Sequence, residues 1–355
     1  MKKKYLILPG LLLALAVVLS GCAAGLTASG WPGVTADANN AYISGGPYVY
    51  AVNLQTGAQV WRYPDKASSS PFEAAPVLTA DGQLIVGGYD KVLHSLNPKT
   101  GQVGWQFKDA HDRWIGSVFV TDKMIYAPNA DYKLYALNMQ GQLQWAFEGD
   151  QAIWGTPVSD GTNIYFGTLG RKVYAVNAAS GKQAWVQTLD GAVLGTPVLG
   201  TDNMLYVGTY SGSIYRLSTS NGSNKPLAKA SSWVWYGPAL DGTTLYFGDG
   251  NGALYAQPVG DTGQSWKQAL TGAVIGTPLV GADTIVIGTE AGKVYFIDKT
   301  GKNLRPISIT GKVYASPVAA GTLILVAPTV PNATDPILVA LDQTGTVKWS
   351  FTPAK

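Results

Sequence analysis

The 355-residue chain holds one cysteine, two histidines and only 13% charged residues, and each shortage removes a class of function. A lone thiol, Cys22, cannot close an intramolecular disulfide. His94 and His111 have no thiol beside them, too few nitrogen and sulfur ligands for the three or four that a zinc ion takes. Charge is sparse against the roughly 25% of ordinary globular chains. It also nearly balances: 25 Lys plus Arg face 22 Asp plus Glu, and Lys2, Lys3 and Lys4 ahead of Cys22 account for the whole excess. The remainder is formally neutral, so nucleic acid, whose binding is dominated by phosphate neutralisation, is not an expected partner. No Gly-Lys-Ser/Thr phosphate loop occurs, and no segment after residue 25 carries an apolar repeat of helical period.

What is present is one phrase written eight times. Its clearest copies are AVNLQTGAQVW from Ala51, AVNAASGKQAW from Ala175 and ALDQTGTVKW from Ala340. Trp61, Trp105, Trp145, Trp185, Trp266 and Trp349 are separated by 44, 40, 40, 81 and 83 residues, so the two wide gaps are doubled periods. Counting four on from Gly222 and Gly301 lands on Pro226 and Arg305, which stand where two further Trp residues would. A second register agrees: Pro32, Pro76, Val118, Pro157, Pro197, Pro238, Pro278 and Pro317 open matching apolar segments at nearly the same interval. A fixed period of this size marks supersecondary units that bury their faces only against neighbours.

Within a unit the pattern is short strands and tight turns. In the fourth, the expected strands are Gly155 to Val158, Ile164 to Gly167, Lys172 to Asn177 and Gln183 to Thr188. Asp160-Gly161 between the first two favours a two-residue hairpin turn, and Gly in the Asn/Asp-x-x-Thr/Ser-Gly turn suits a left-handed backbone. Eight four-stranded antiparallel units arranged radially make an all-β, eight-bladed β-propeller, which leaves only short, protected sheet edges. The Trp on each fourth strand reads as a docking device, its face buried between blades beside a small residue on the third strand.

The first twenty-two residues give a destination. A basic start, an apolar run from Tyr5 to Leu19 and the box Leu19-Ser20-Gly21-Cys22 have the layout of a bacterial lipoprotein export signal. The expected division is a signal peptide over 1–21, a lipidated linker over 22–29 and the propeller over 30–355, with Cys22 acylated and the protein membrane-anchored outside the cytoplasm. By resemblance to enterobacterial lipoproteins, Ala23 after the cysteine implies that passage to an outer membrane is permitted. A single-membrane cell would carry the same anchor on its external face.

The repeated Ala-x-Asp/Asn-x-x-x-Gly-x-x-x-Trp phrase resembles the tryptophan-docking repeat of PQQ-type propellers, shared by quinoprotein alcohol dehydrogenases and BamB-like outer-membrane assembly lipoproteins. The resemblance covers essentially all of residues 30–355. The dehydrogenase branch implies PQQ over a Trp floor, a Ca²⁺ ion held by acidic and amide oxygens, a catalytic Asp and paired cysteines. The single cysteine leaves no pair and nothing matches the calcium or catalytic motifs, so no cofactor and no enzymatic activity are expected. The BamB-like branch implies a protein partner in the barrel-assembly machinery. One departure stands out: TVKWSFT gives the last unit its own fourth strand, whereas BamB-type chains tend to close the ring with an N-terminal segment.

For binding, the sequence offers a ring of positions three residues before each strand marker, expected at one mouth of the channel. Glu73, Trp154, Trp235 and Tyr314 are candidates there, with Trp114 grouped beside them as a binding rim for a sugar or peptide. Arg62 to Pro71 and Ala327 to Pro336 lengthen two connections, which is where recognition tends to reside. Three readings remain open: a scaffold in outer-membrane protein assembly, a surface receptor for carbohydrate or peptide, and a quinoprotein-like oxidoreductase.

Overall fold

The computed structural model describes residues 31–260 and 262–354, so the leader and Cys22 lie outside the described residues. Thirty-two strands form eight separate four-stranded antiparallel sheets, each made of four consecutive strands. The blades run over residues 34–63, 77–107, 119–148, 158–188, 198–229, 239–269, 279–308 and 318–351. The eight-bladed propeller expected from the two registers is the fold. Strands are called inner, second, third and outer, counted from the axis.

The innermost strands are shorter than the sequence implies. In blade 4 the inner strand is only Val158–Ser159, not 155–158, while the other three lie at Asn163–Gly167, Lys172–Asn177 and Gln183–Thr188. The cause is convergence on the axis. A Cβ on Gly155 would collide with the Gly195 carbonyl of the next blade, so adjacent blades touch backbone to backbone there. The two-residue turn expected at Asp160-Gly161 does not form: Ser159 pairs with Ile164, so 160–163 make the connection, with Gly161 at φ +89° and Asp160 Oδ1 accepting from the amides of Thr162 and Asn163 at 2.8 Å.

Six indoles dock blade to blade in one geometry. Trp61 Nε1 donates to the Pro98 carbonyl (2.8 Å), Trp145 to Ala178 (3.1 Å), Trp185 to Thr219 (2.8 Å) and Trp266 to Lys299 (3.0 Å). Trp105 donates between the Met139 carbonyl and Gln83 Oε1. Opposite each indole on the third strand sits Ala51, Ser95, Ala136, Ala175, Ala256 or Ala340. The turn Gly of the next blade serves twice. Gly101 has φ +73°, and a Cβ there would lie 2.7 Å from the Trp61 ring, so neither the backbone angle nor the space admits a side chain.

The two blades without this Trp are filled differently. In blade 7, Phe296 takes the third-strand place of the small residue, paired with Arg305, whose guanidinium sits 5.0 Å over its ring. Phe296 also packs on Gly345 of blade 8, so the ring that meets the next blade comes from the third strand instead of the fourth. In blade 5, Arg216 pairs with Lys225 across the same strands and ion-pairs with Asp202 at 3.1 Å.

The ring closes without a swapped strand. Trp349 on the outer strand of blade 8, Val347–Phe351, donates to the Leu54 carbonyl of blade 1 at 2.7 Å and covers Gly57. The first and last blades also share one core around Ile43, Tyr50, Leu325, Leu338 and Phe351. Buried apolar clusters of this kind, each spanning two neighbouring blades, form the core between blades.

Candidate functional site

Seven connections between blades build the mouth of the axial channel by one rule. The residue four before each strand marker is buried and latched by its amide to a carbonyl in the hairpin between second and third strands: Ile153 to Asn129, Val193 to Thr168, Val234 to Thr209, Val274 to Asp249 and Val313 to Thr289. Side chains then alternate. The following residue, three before the marker, reaches the channel at Glu73, Ile115 and Trp154.

This alternation corrects the grouping of Trp114 with the rim. Trp114 occupies the latch position, one residue ahead of Ile115, and is 0% exposed. Its amide donates to Gly88 and its ring packs against Gly87, Phe107 and Tyr135 between blades 2 and 3. A shift of one residue turned it from the channel into the interblade core. The remaining four rim residues stand around the channel. Glu73 and Trp154 line a cavity of about 120 Å³ on the axis, and Trp235 and Tyr314 flank it.

Two residues missed in the sequence complete this cavity. Trp31, just ahead of blade 1, lines it and packs against Trp235 (5.0 Å, edge to face), Tyr314 (5.7 Å) and Tyr236 (6.5 Å). Tyr236 stands two before its marker, where the other units have Ala74, Gly116, Gly155, Gly195, Gly276 and Ala315. A ring of glycine and alanine lets the blades converge, and the one large side chain in it lines the channel. That exception was readable in the sequence.

The cavity has one acid. Burial pushes the Glu73 carboxyl above the ordinary glutamate range, against a hydrogen bond with Tyr89 and the charge of Arg113, which pull it down. The Arg113 guanidinium is engaged over the Tyr89 ring at 5.0 Å, and among the described residues no ion pair includes Glu73. Tyr236 is pushed up to about 12 by burial and then by the Glu73 charge. The phenol therefore stays neutral beside the acid.

Outward from the cavity the aromatics continue onto the same face. Tyr210 stacks on Trp233 at 6.0 Å with planes 9° apart, and both meet Trp235 edge to face near 5.8 Å. Tyr210 is 46% exposed. Trp31, Tyr210, Trp233, Trp235 and Tyr314 thus form one aromatic surface, where sequence reasoning had singled out only Trp235 and Tyr314. Both lengthened connections lie on this face, and residues 328–333 and Arg62 meet at the blade 8 to blade 1 seam. With Pro47, Tyr48, Tyr50 and Arg62, residues 328–333 line a cleft of about 510 Å³.

The histidines lie elsewhere. His94 is buried between blades 1 and 2, its Nε2 3.0 Å from Asp90 and its Nδ1 3.1 Å from both the Tyr63 hydroxyl and the Gln106 amide. The amide can only donate, so the ring carries its proton on Nε2 and all its polar atoms are used in packing. His111 is exposed, and its amide is held by Asp131. Among the described residues no group of three or more His, Cys, Asp or Glu is placed to hold a metal ion. PQQ does not fit this channel either. A tricyclic quinone bearing three carboxylates would meet an acid of its own sign and no Lys or Arg among the lining residues.

Fold and docking geometry define the class: a tryptophan-docked, eight-bladed propeller of the PQQ-type repeat, with a narrow axial cavity and one aromatic face. A sequence profile described as outer membrane protein assembly factor BamB matches residues 45–153, 140–236 and 225–304. The chain belongs to that family. It is 25% identical over 280 residues to the outer membrane protein assembly factor BamB of Shewanella oneidensis, covering 70% of this chain and 69% of the relative. The BamB of Legionella pneumophila is 28% identical over 201 residues, covering 53% of this chain and 50% of the relative. The crystal structure of BamB from Moraxella catarrhalis superposes with a TM-score of 0.70 over 83% of this chain and 93% of that one. At 14% identity that likeness concerns the fold.

Proposed function

We propose that this protein is an exported, lipid-anchored binding subunit of outer-membrane protein assembly that holds a protein partner and catalyses no reaction. The observation that carries the reading is the family match, which runs through seven of the eight blades from residue 45 to residue 304. The channel supports the non-catalytic part. Its ionisable side chains are one carboxyl and one tyrosine held neutral, with no second acid, thiol or imidazole to share a proton transfer.

The aromatic face is the partner surface in this reading. Interface energy concentrates in Trp, Tyr and Arg that become buried on association, and the exposed Tyr210 with the half-buried Trp233 and Trp235 are candidates of that kind. Tether length agrees with the orientation. Nine residue steps separate Cys22 from Trp31, and at about 3.3–3.6 Å each they reach at most about 32 Å. An acylated Cys22 therefore keeps the aromatic face near the membrane where a barrel is assembled.

The test is co-purification from native membranes. A tagged chain should bring down the barrel-assembly machinery, and the Tyr210→Ala, Trp233→Ala double variant should lose it by more than about 2 kcal/mol, the scale of interface hot spots. Unchanged recovery with the double variant refutes the surface. Absence of the machinery from the wild-type complex refutes the role.

A further inference from the structure

We propose that the axial cavity beneath Trp31 is a binding site for a small organic ammonium cation, held by the rings of Trp31, Trp154 and Tyr236 and by the carboxylate of Glu73. The proposal concerns the channel alone and stands apart from the partner reading. It begins from what lines the space: three aromatic side chains, one acid, and a floor of Ala75, Ser117, Thr156, Thr196 and Ser316. Ring faces are negative, and the attraction of a cation over them is strongest when it is desolvated.

One hydroxyl adds to that sign. Ser117 Oγ gives its hydrogen to the Ala75 carbonyl at 3.0 Å. Ser117 therefore turns lone pairs, not a hydrogen, toward any further ligand. Glu73 completes the pattern. The charge of Arg113 reaches it, but that guanidinium is exposed and sits over the Tyr89 ring, so among the described residues the half-buried carboxylate makes no ion pair. A buried charge is normally paired, because its desolvation is costly. A cation entering from solvent supplies the missing partner.

Size and access narrow the class. A cavity of about 120 Å³ has room for a trimethylammonium or primary ammonium head of a few heavy atoms. Trp31 belongs to the segment ahead of the first strand and packs on the site through ring contacts with Trp235, Tyr236 and Tyr314. Moving it opens the cavity without unfolding a blade.

Isothermal titration of the purified chain with choline, tetramethylammonium, the neutral choline isostere 3,3-dimethyl-1-butanol and calcium chloride tests the proposal. Choline and tetramethylammonium should bind, and the neutral alcohol should bind about 10-fold more weakly or worse. Glu73→Gln should weaken choline about 10-fold, and Trp31→Ala, which lies outside every strand, should weaken it severalfold. Choline affinity should also fall as pH drops through the raised Glu73 titration, since neighbouring Tyr89 and Tyr236 stay neutral and Arg113 stays charged. The proposal is overturned if neither cation binds. Equal affinity for the neutral alcohol would show a merely apolar cavity, and tight calcium binding lost in Glu73→Gln would show a metal site instead; either result rejects it.

Discussion

Closure of the ring by Trp349 can be measured against the docking contacts inside it. Trp349→Ala removes an indole that donates at 2.7 Å to Leu54 and covers Gly57, joining residues 295 positions apart. Truncating a large aromatic in a core costs about 3–5 kcal/mol, and Trp349 is half-buried, so a loss of about 3 kcal/mol is expected. About 1 kcal/mol of this belongs to the hydrogen bond. Trp349→Phe keeps a ring over Gly57 and should lose only that smaller part. Trp145→Ala provides the internal standard, since the same contact joins blades 3 and 4. Urea unfolding followed by circular dichroism should give nearly equal losses for Trp145→Ala and Trp349→Ala. A loss of about 3 kcal/mol at Trp145 beside less than about 1 kcal/mol at Trp349 would show that the seam is held by something else.

Three further outcomes follow from the same geometry. Phe296→Ala should destabilise about as much as a docking Trp, by about 3 kcal/mol, while Arg305→Ala, which only caps that ring, should cost about 1 kcal/mol or less; equal losses would refute the exchange of roles in blade 7. Glu73→Gln should raise the melting temperature at neutral pH and leave it unchanged in acid: the native carboxyl holds its proton more tightly than the unfolded chain does, so stability falls as pH rises through that raised titration, and the amide removes the fall. A gain that persists below the ordinary glutamate range would exclude this cause. Cys22→Ser should release the protein from membranes into the soluble extracytoplasmic fraction, whereas retention would place the anchor elsewhere.

The fold was legible because docking is periodic. Each indole needs a small residue opposite it and a turn glycine in the next blade, so three positions recur together and set the phase even where Pro226 and Arg305 break the pattern. What replaces a missing indole was not legible. Phe296 lies on another strand, and only the pairing register shows that it shares Arg305's place. The short inner strands escaped for a similar reason, since crowding on the axis depends on how all eight blades converge. At the channel, alternation decides: Ile115 faces the mouth and Trp114 the core, and an aromatic count cannot tell adjacent residues apart. Trp31 lay ahead of the repeat, and Tyr210 lies in a hairpin whose position on the aromatic face appears only once blades 5 and 6 are packed side by side.

The most direct test of the account is photocrosslinking in native outer membranes from a light-activated residue placed at Tyr210, with a second placed on the opposite face at Asn221. The expected result is a crosslink to a component of the barrel-assembly machinery from position 210 and none from position 221. Crosslinks from 221 alone, or from neither position while the machinery is abundant, would contradict a partner surface on the aromatic face.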